Sequence, residues 1–495
     1  MSTRAYSAHR TAWSPLTLPA PDHAFVHARG EAFESSDPAT GEVVAVVTAS
    51  RTADVDAAVT AARAARGGIW RDDGALRGKV LWRYAEALRE NSDRLAELLT
   101  REQGKRLFEA RGEIAGAAEM VEFYAGQARA LYGRSIALKP GVHGVVLREP
   151  VGVVAVITPW NWPITLLVRA LAPALAAGNA VVAKPASLTP AITVEALALL
   201  AADPDLPEGV LGCVLGSGAE VGHALVSHPG VEMIAFTGES ETGIDVMKHG
   251  AERLKKVSLE LGGKSPNIVF ADADLDKALA GAENAAFSSG GQICTAGSRL
   301  LVESPVAEDF VERLGERVAA MRVGDGLDPE TDVAPVVSSS QRHRILEYVE
   351  LSSREGRIVA RGEPPAGEPY ELGCYVPPTV VADLPSDSRL IREEIFGPLL
   401  TVQEFADEEE AVALANATEY GLAAGLWTSD LNRAWRVGRG LEAGTVWINT
   451  YHHFYPETEV GGFKRSGVGR QQGLVGLEEF SETKHLNFDS NPTLW

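Results

Sequence analysis

Cys294 sits among glycines and small polar residues in FSSGGQICTAGSR (287–299), the stretch of this chain best suited to covalent chemistry. A free cysteine usually packs as a small buried hydrophobe. Here Gly290, Gly291 and Gly297 let the backbone come close to a ligand and free local N–H groups to donate. Those are surroundings in which a thiolate acts as a nucleophile. Glu260 closes an apolar run and is followed by Gly262 and Gly263. A carboxylate there is either a satisfied structural acid or one that burial lifts toward a base's working range. Asn161 lies in ITPWNWP between Trp160 and Trp162. Its amide is either a turn former or a donor to a developing oxyanion. Lys184 ends another apolar run, where it could be solvated or could reach a nucleotide hydroxyl or phosphate. In FTGESETG, Gly238 and Gly243 flank a strand-to-helix turn whose N–H groups could hold a phosphate.

These residues fall at the ends of short β-branched runs. VGVVAVITP, NAVVAKP, GCVLG, EMIAFTG and KKVSLELGG alternate with helical stretches rich in Ala and Leu. That alternation predicts βαβ units in a parallel, doubly wound sheet, with strands apolar on both faces. Ligands of such sheets bind at the carboxyl ends of the strands. A second α/β pattern runs from Ala271 to about Leu477, with strands near 299–303, 378–382, 399–403 and 443–448. Before the first sheet, residues 1–30 read as an irregular arm and DPATGEVVAVV as a hairpin; Asp54 to about Leu131 reads as helical. HGVVLREPVG and the final SETKHLNFD read as strands outside the main sheets, and Arg361–Pro369 as a surface excursion. GSGAEVG (216–222) only superficially resembles a dinucleotide fingerprint, because its last glycine comes one position late.

Composition narrows the function classes. With 495 residues, two or three domains are expected. A net charge of −21 disfavours nucleic acid and anionic membranes as partners. Three widely spaced cysteines form neither a disulfide framework nor a zinc pattern, and eleven histidines show no HExxH pairing, so no metal is expected. The first residues carry no apolar targeting core, which fits the cytoplasm.

The chain resembles the aldehyde dehydrogenase superfamily from about Phe33 to Phe488. The resemblance is carried by LELGGKSPNIV (259–269), GQICTAGSR (291–299), EEIFGPLL (393–400), GGFKRSGVGRQQGLVGLEEFSETK (461–484), ITPWNWP and the DPATGEV turn. The 294 − 260 = 34 residue separation is also that family's base-to-nucleophile interval. The resemblance implies an α/β fold with a Rossmann-type NAD(P)-binding domain (1–131 and 151–260), a catalytic domain (261–477) and a small β oligomerisation element (132–150 and 478–495). It implies oxidation of an aldehyde to the acid through a Cys294 thiohemiacetal and thioester. Asn161 and the Cys294 N–H would hold the oxyanion, and Glu260 would activate the hydrolytic water. Glu394 and Phe396 fall where the family holds the nicotinamide ribose and ring, and Lys184 where it binds the adenosine ribose. Thr158, Pro159, Trp160, Ala186, Ser187, Gly238, Glu239 and Leu261 complete the cofactor side. Trp162, Ile293, Thr295 and Phe454 would line the aldehyde tunnel, with Asn449 as a structural residue. A homodimer or homotetramer is implied.

Departures from the family's pattern bear on specificity. Ser187 stands where NAD-preferring members carry a glutamate, which tilts the expectation toward NADP or dual use. Glu239 replaces the usual serine of the phosphate turn. Ala170 and Gln471 occupy both ends of the family's proton relay, leaving it neutral. Arg169, eight residues after Asn161, sits where members acting on acidic semialdehydes or small hydroxyaldehydes often carry an arginine; its alternative is a helix-surface ion pair. Ser288, where succinic-semialdehyde members place a second arginine, weakens a dicarboxylate assignment. Trp162 and Phe454 suit an aromatic, aliphatic or amino-aldehyde equally. His452 and His453 either donate to a polar substrate or simply lie in a loop. A thioester-only esterase and a non-catalytic structural homologue are the remaining alternatives.

Overall fold

The computed structural model describes residues 10–20, 23–367 and 370–490. Its centre is a seven-stranded sheet built from the five β-branched runs. Val153–Ile157 lies in the middle, with Ala180–Lys184 and Leu211–Val214 on one side and Met233–Thr237 and Lys256–Glu260 on the other. All five are parallel, and Val153–Ile157 and Ala180–Lys184 are buried throughout, as a sheet covered by helices on both faces requires. The register sets Ile157 opposite Lys184 and Phe236, and Thr237 opposite Glu260. The residues that follow each strand therefore emerge along one edge. Strand order reverses between Val153–Ile157 and Met233–Thr237, which opens a crevice at that edge.

A second seven-stranded sheet carries Pro266–Val269, Arg299–Glu303, Leu399–Phe405 and Ala423–Trp427, all parallel. Glu260 and Pro266 are joined by LGGKS, so the last strand of the first sheet leads directly into the second. Cys294 lies in the link between helix Leu275–Phe287 and strand Arg299–Glu303. The 134–150 hairpin pairs with Ser481–Asp489 in a separate antiparallel sheet, as the alternation at both segments suggested.

Three expectations change. The arm before residue 30 is not irregular where it is described: Leu16–Leu18 pairs with Val43–Thr48, and Val26–His27 adds an edge strand beside Leu211–Val214. Gly467–Val468, inside the 261–477 range expected for the catalytic domain, also pairs with Lys256–Glu260 of the first sheet. Leu477 and Phe480 pack into the first sheet's core for the same reason. Finally, strands Pro266–Val269, Arg357–Arg361 and Ala423–Trp427 join the second sheet where none was expected. Residues 1–9, at the start of the arm, and the tail beyond 490 lie outside the described residues, as do the last two of the 361–369 excursion.

Candidate active site

Two cavities meet at Cys294. One, of about 430 Å³, is lined by Asn161, Trp162, Arg169, Glu260, Ile293, Cys294, Thr295 and Phe454, together with Glu109, Glu113 and His452. The other, of about 250 Å³, is lined by Pro159, Trp160, Gly238, Glu239, Leu261, Glu394 and Phe396, and again by Asn161, Glu260 and Cys294. Three residues chosen for covalent, oxyanion and base chemistry are thus shared by both chambers.

The Cys294 loop is shaped by its backbone. Ser289, Gly290 and Gly291 all adopt left-handed φ values of 49°, 61° and 69°. Gly291 leaves no choice of residue, since a Cβ there would lie 2.3 Å from the Gly397 carbonyl oxygen. Gln292 then pins the loop: its Oε1 accepts from Val337 N (3.0 Å) and its carbonyl accepts from Asn161 Nδ2 (2.9 Å). Tyr451 OH donates to the Thr295 carbonyl on the other side of the cysteine. Asn161 is thereby fixed against the loop that carries Cys294.

Charge is arranged unevenly around the sulfur. Burial pushes the Cys294 thiol up to about 11, while Arg169 pulls it the other way. Burial lifts Glu260 to about 7, opposed by Arg169 and Arg470, and Glu260 Oε1 has no hydrogen-bond partner in the protein. A carboxyl with that pKa changes charge at the pH where a general base must work. Arg169 is only 7% exposed, and its Nε and Nη2 are buried without partners. A helix-surface ion pair is therefore excluded. Trp162 Nε1 and Thr295 Oγ1 are likewise buried and unpartnered. Burial holds His452 down to about 4, so its imidazole is neutral, and its Nε2 is free.

On the other chamber, Glu394 Oε1 accepts from Gly263 N at 2.9 Å, and burial raises its carboxyl to about 7. A Cβ on Gly262 would lie 2.1 Å from Glu394 Oε2, so glycine is what admits the carboxylate. Phe396, with a left-handed φ of 60°, meets Trp160 edge to face at 5.3 Å. Glu239 precedes helix Ser240–Ala251 and faces Arg344 across the crevice at 3.8 Å.

Some anticipated residues lie away from both chambers. Lys184 is buried at its strand end, and its Nζ donates to the Pro185 carbonyl at 3.1 Å. Ser187 Oγ donates to the Gly216 carbonyl at 2.8 Å. Both abut the 216–222 segment, where a Cβ on Gly222 would touch the Lys184 stem. Ala186 is half-buried beside them, and Thr158 is buried with its Oγ1 unpartnered. Asn449 braces a neighbouring loop, accepting from Thr428 N and donating to Thr428 O. Gln471 donates to Ser258 Oγ, and Ala170 packs in the core. Ser288, which lines the larger chamber, donates to Asn284.

Glu109 and Glu113 went unremarked in the sequence. They lie on helix Leu107–Gln127, more than 180 residues from the cysteine, and read there as ordinary helix charges. Their spacing of four residues, with Lys105 and Arg106 just before, was the available signal.

The profile of the aldehyde dehydrogenase family matches residues 25–486. Betaine aldehyde dehydrogenase of Bacillus subtilis (strain 168) is 40% identical over 460 residues, covering 92% of this chain and 94% of that protein. Among solved structures, betaine aldehyde dehydrogenase from Staphylococcus aureus in complex with NAD+ is similar, with a TM-score of 0.91 and 36% identity, covering 94% of this chain and 93% of that one. PnpE from Pseudomonas sp. WBC-3 matches with a TM-score of 0.91 and 37% identity, covering 94% of this chain and 96% of that one.

Proposed function

The chain belongs to the aldehyde dehydrogenase family, and we propose that it is a hydrolytic member that oxidises an aldehyde bearing acceptor oxygens, a carboxylate or hydroxyl, at its far end. The observation that carries the reading is the junction of the two chambers at Cys294, Asn161 and Glu260. One chamber is apolar with a few unpartnered donors and suits the aldehyde; the other opens at the sheet's switch point and suits the cofactor.

In this mechanism Cys294 gives its proton to water and its sulfur adds to the aldehyde carbon. The carbonyl oxygen takes the negative charge and accepts from Asn161 Nδ2 and the Cys294 N–H. NAD(P)+, when bound, supplies the hydride acceptor. Collapse of the oxyanion releases hydride and leaves a thioester on Cys294. Glu260, as carboxylate, takes a proton from water, which attacks the thioester carbon; acid leaves and Cys294 is restored. Glu394, Phe396, Trp160 and the turn at Gly238 and Glu239 would hold the cofactor, and Thr158, with its Oγ1 unpartnered, follows strand Val153–Ile157 at the same sheet edge. Lys184 would meet its adenosine end. Ser187 spends its one proton on Gly216 O, which speaks for use of NAD as well as NADP.

Arg169 supports the oxygen-bearing substrate, because a buried guanidinium with unpartnered N–H groups is completed by an anionic or hydroxylic ligand. A betaine-type aldehyde is the second reading, favoured by the 40% identity to a betaine aldehyde dehydrogenase. Against it, an ammonium about 5 Å from the guanidinium at an effective dielectric of about 20 meets roughly 3 kcal/mol of repulsion. The exposed edges Arg134–Lys139 and Ser481–Asp489, with Leu138 and Phe488 about half exposed, support a dimer or tetramer. The test is turnover of acidic, hydroxylated, neutral and quaternary-ammonium aldehydes with each cofactor. Loss of activity in Cys294→Ala is expected; an active Cys294→Ala would overturn the mechanism.

A further inference from the structure

We propose that Glu113, with Lys105 and Glu109, is a positioning unit that fixes the two halves of the oxyanion site relative to each other. The inference rests on the reading of Asn161 and Cys294 given above.

Glu109 and Glu113 stand one turn apart on helix Leu107–Gln127. Glu109 Oε1 accepts from Ser289 N at 2.8 Å, gripping the loop five residues before Cys294 where the backbone turns left-handed. Glu113 Oε1 accepts from Ile164 N at 2.8 Å and Thr165 N at 3.2 Å, gripping the start of helix Pro163–Ala176. That helix follows Asn161 and its N-cap Trp162, and carries Arg169. One helix face therefore holds both the segment that supplies the Cys294 N–H and the segment that supplies the Asn161 amide.

The remaining charges are matched. Lys105 Nζ donates to Glu113 Oε2 at 2.6 Å in a pair with both side chains fully buried. Arg106 Nη2 donates to Glu109 Oε1 at 2.8 Å. Lys105 Nζ also sits 3.8 Å from the centroid of the Trp162 ring, so the same cation fixes the cavity wall. Buried ion pairs add little net stability, but breaking one side leaves an uncompensated charge. What this pair supplies is location.

The test separates positioning from folding. Alkylation of Cys294 by iodoacetamide forms no oxyanion, whereas hydride release from an aldehyde does. Glu113→Asp, which draws the helix start inward by about one methylene, and Glu113→Ala are measured for single-turnover hydride release, KM and alkylation rate. Misplacement of about 1 Å costs on the order of 100-fold, so hydride release is expected to fall about 10-fold in Glu113→Asp and about 100-fold in Glu113→Ala. Alkylation is expected to stay within about 3-fold, whereas KM is expected to rise, because Trp162 and Arg169 shift with the same segment. The double variant Lys105→Met, Glu113→Gln keeps the acceptor oxygen without either charge, and recovery to within about 5-fold of wild type is expected. Unchanged hydride release, equal loss of alkylation and hydride release, or no recovery in the double variant would each overturn the proposal. An active Cys294→Ala would instead overturn the underlying mechanism, so the two failures are distinguishable.

Discussion

The two chambers that share Cys294 are built by different means. The smaller is made largely of backbone turns at strand ends: Gly238 and Glu239 follow one strand, and Leu261 and Gly262 follow another. Its carboxylate, Glu394, is held by a main-chain N–H. The larger is made of side chains projecting from helices and loops far apart in sequence, and several of its donors have no partner. It leaves Arg169 Nε and Nη2, Trp162 Nε1 and His452 Nε2 without partners, which is the ground for the proposal that substrate choice lies there.

The largest expected effect falls on the residues common to both. Cys294→Ala should lower kcat by at least about 1,000-fold, since the proposed mechanism has no other nucleophile. Retained cofactor affinity, read by fluorescence titration, would show that both chambers survive. Glu260→Gln should separate the two half-reactions: a stoichiometric burst of reduced cofactor, then turnover slowed on the order of 100- to 10,000-fold. Mass spectrometry would find the acyl group on Cys294. In the proposed mechanism deacylation needs the ionised carboxylate of Glu260, whose folded pKa is raised to about 7. The rate should therefore rise with pH through about 7, and that limb should vanish in Glu260→Gln.

Removing the charge of the larger chamber alone should change preference rather than chemistry. For Arg169→Met, the kcat/KM ratio of acidic to quaternary-ammonium aldehydes should fall about 100-fold, the equivalent of roughly 3 kcal/mol. An unchanged ratio would mean that Arg169 does not meet the substrate. The smallest effect should come from the cofactor side, where Ser187 is already engaged with Gly216 O. Ser187→Glu should weaken NADP binding about 10-fold through repulsion of the 2′-phosphate, and leave NAD within about 3-fold. Calorimetric titration of both cofactors would check it.

What was legible in the sequence follows the same division. Strand runs such as NAVVAKP and EMIAFTG betray themselves by local periodicity, and the residues just past them had to share an edge once the sheet was parallel. Cys294, Glu260 and Asn161 were marked by their glycine and tryptophan neighbours. Strand Ala423–Trp427 escaped because Ala and Gly carry little β signal, and it forms only because neighbours on both sides supply its ladder. Gly467–Val468 crossed the expected domain boundary for a similar reason: pairing with Lys256–Glu260 is a long-range hydrogen-bonding choice that two residues cannot announce.

By itself the sequence determined the sheet, and its resemblance to a family singled out Cys294, Glu260 and Asn161 as candidates, because strand runs and motifs depend on residue type within a short window. It left Arg169 balanced between an ion pair on a helix surface and a group facing the site, and it passed over Glu109 and Glu113 altogether. Only the tertiary structure decided those cases. Whether a charge is solvated, paired or left wanting a ligand is fixed by what packs against it from other segments, and those contacts span from 51 residues, for Glu113 and Ile164, to 180, for Glu109 and Ser289.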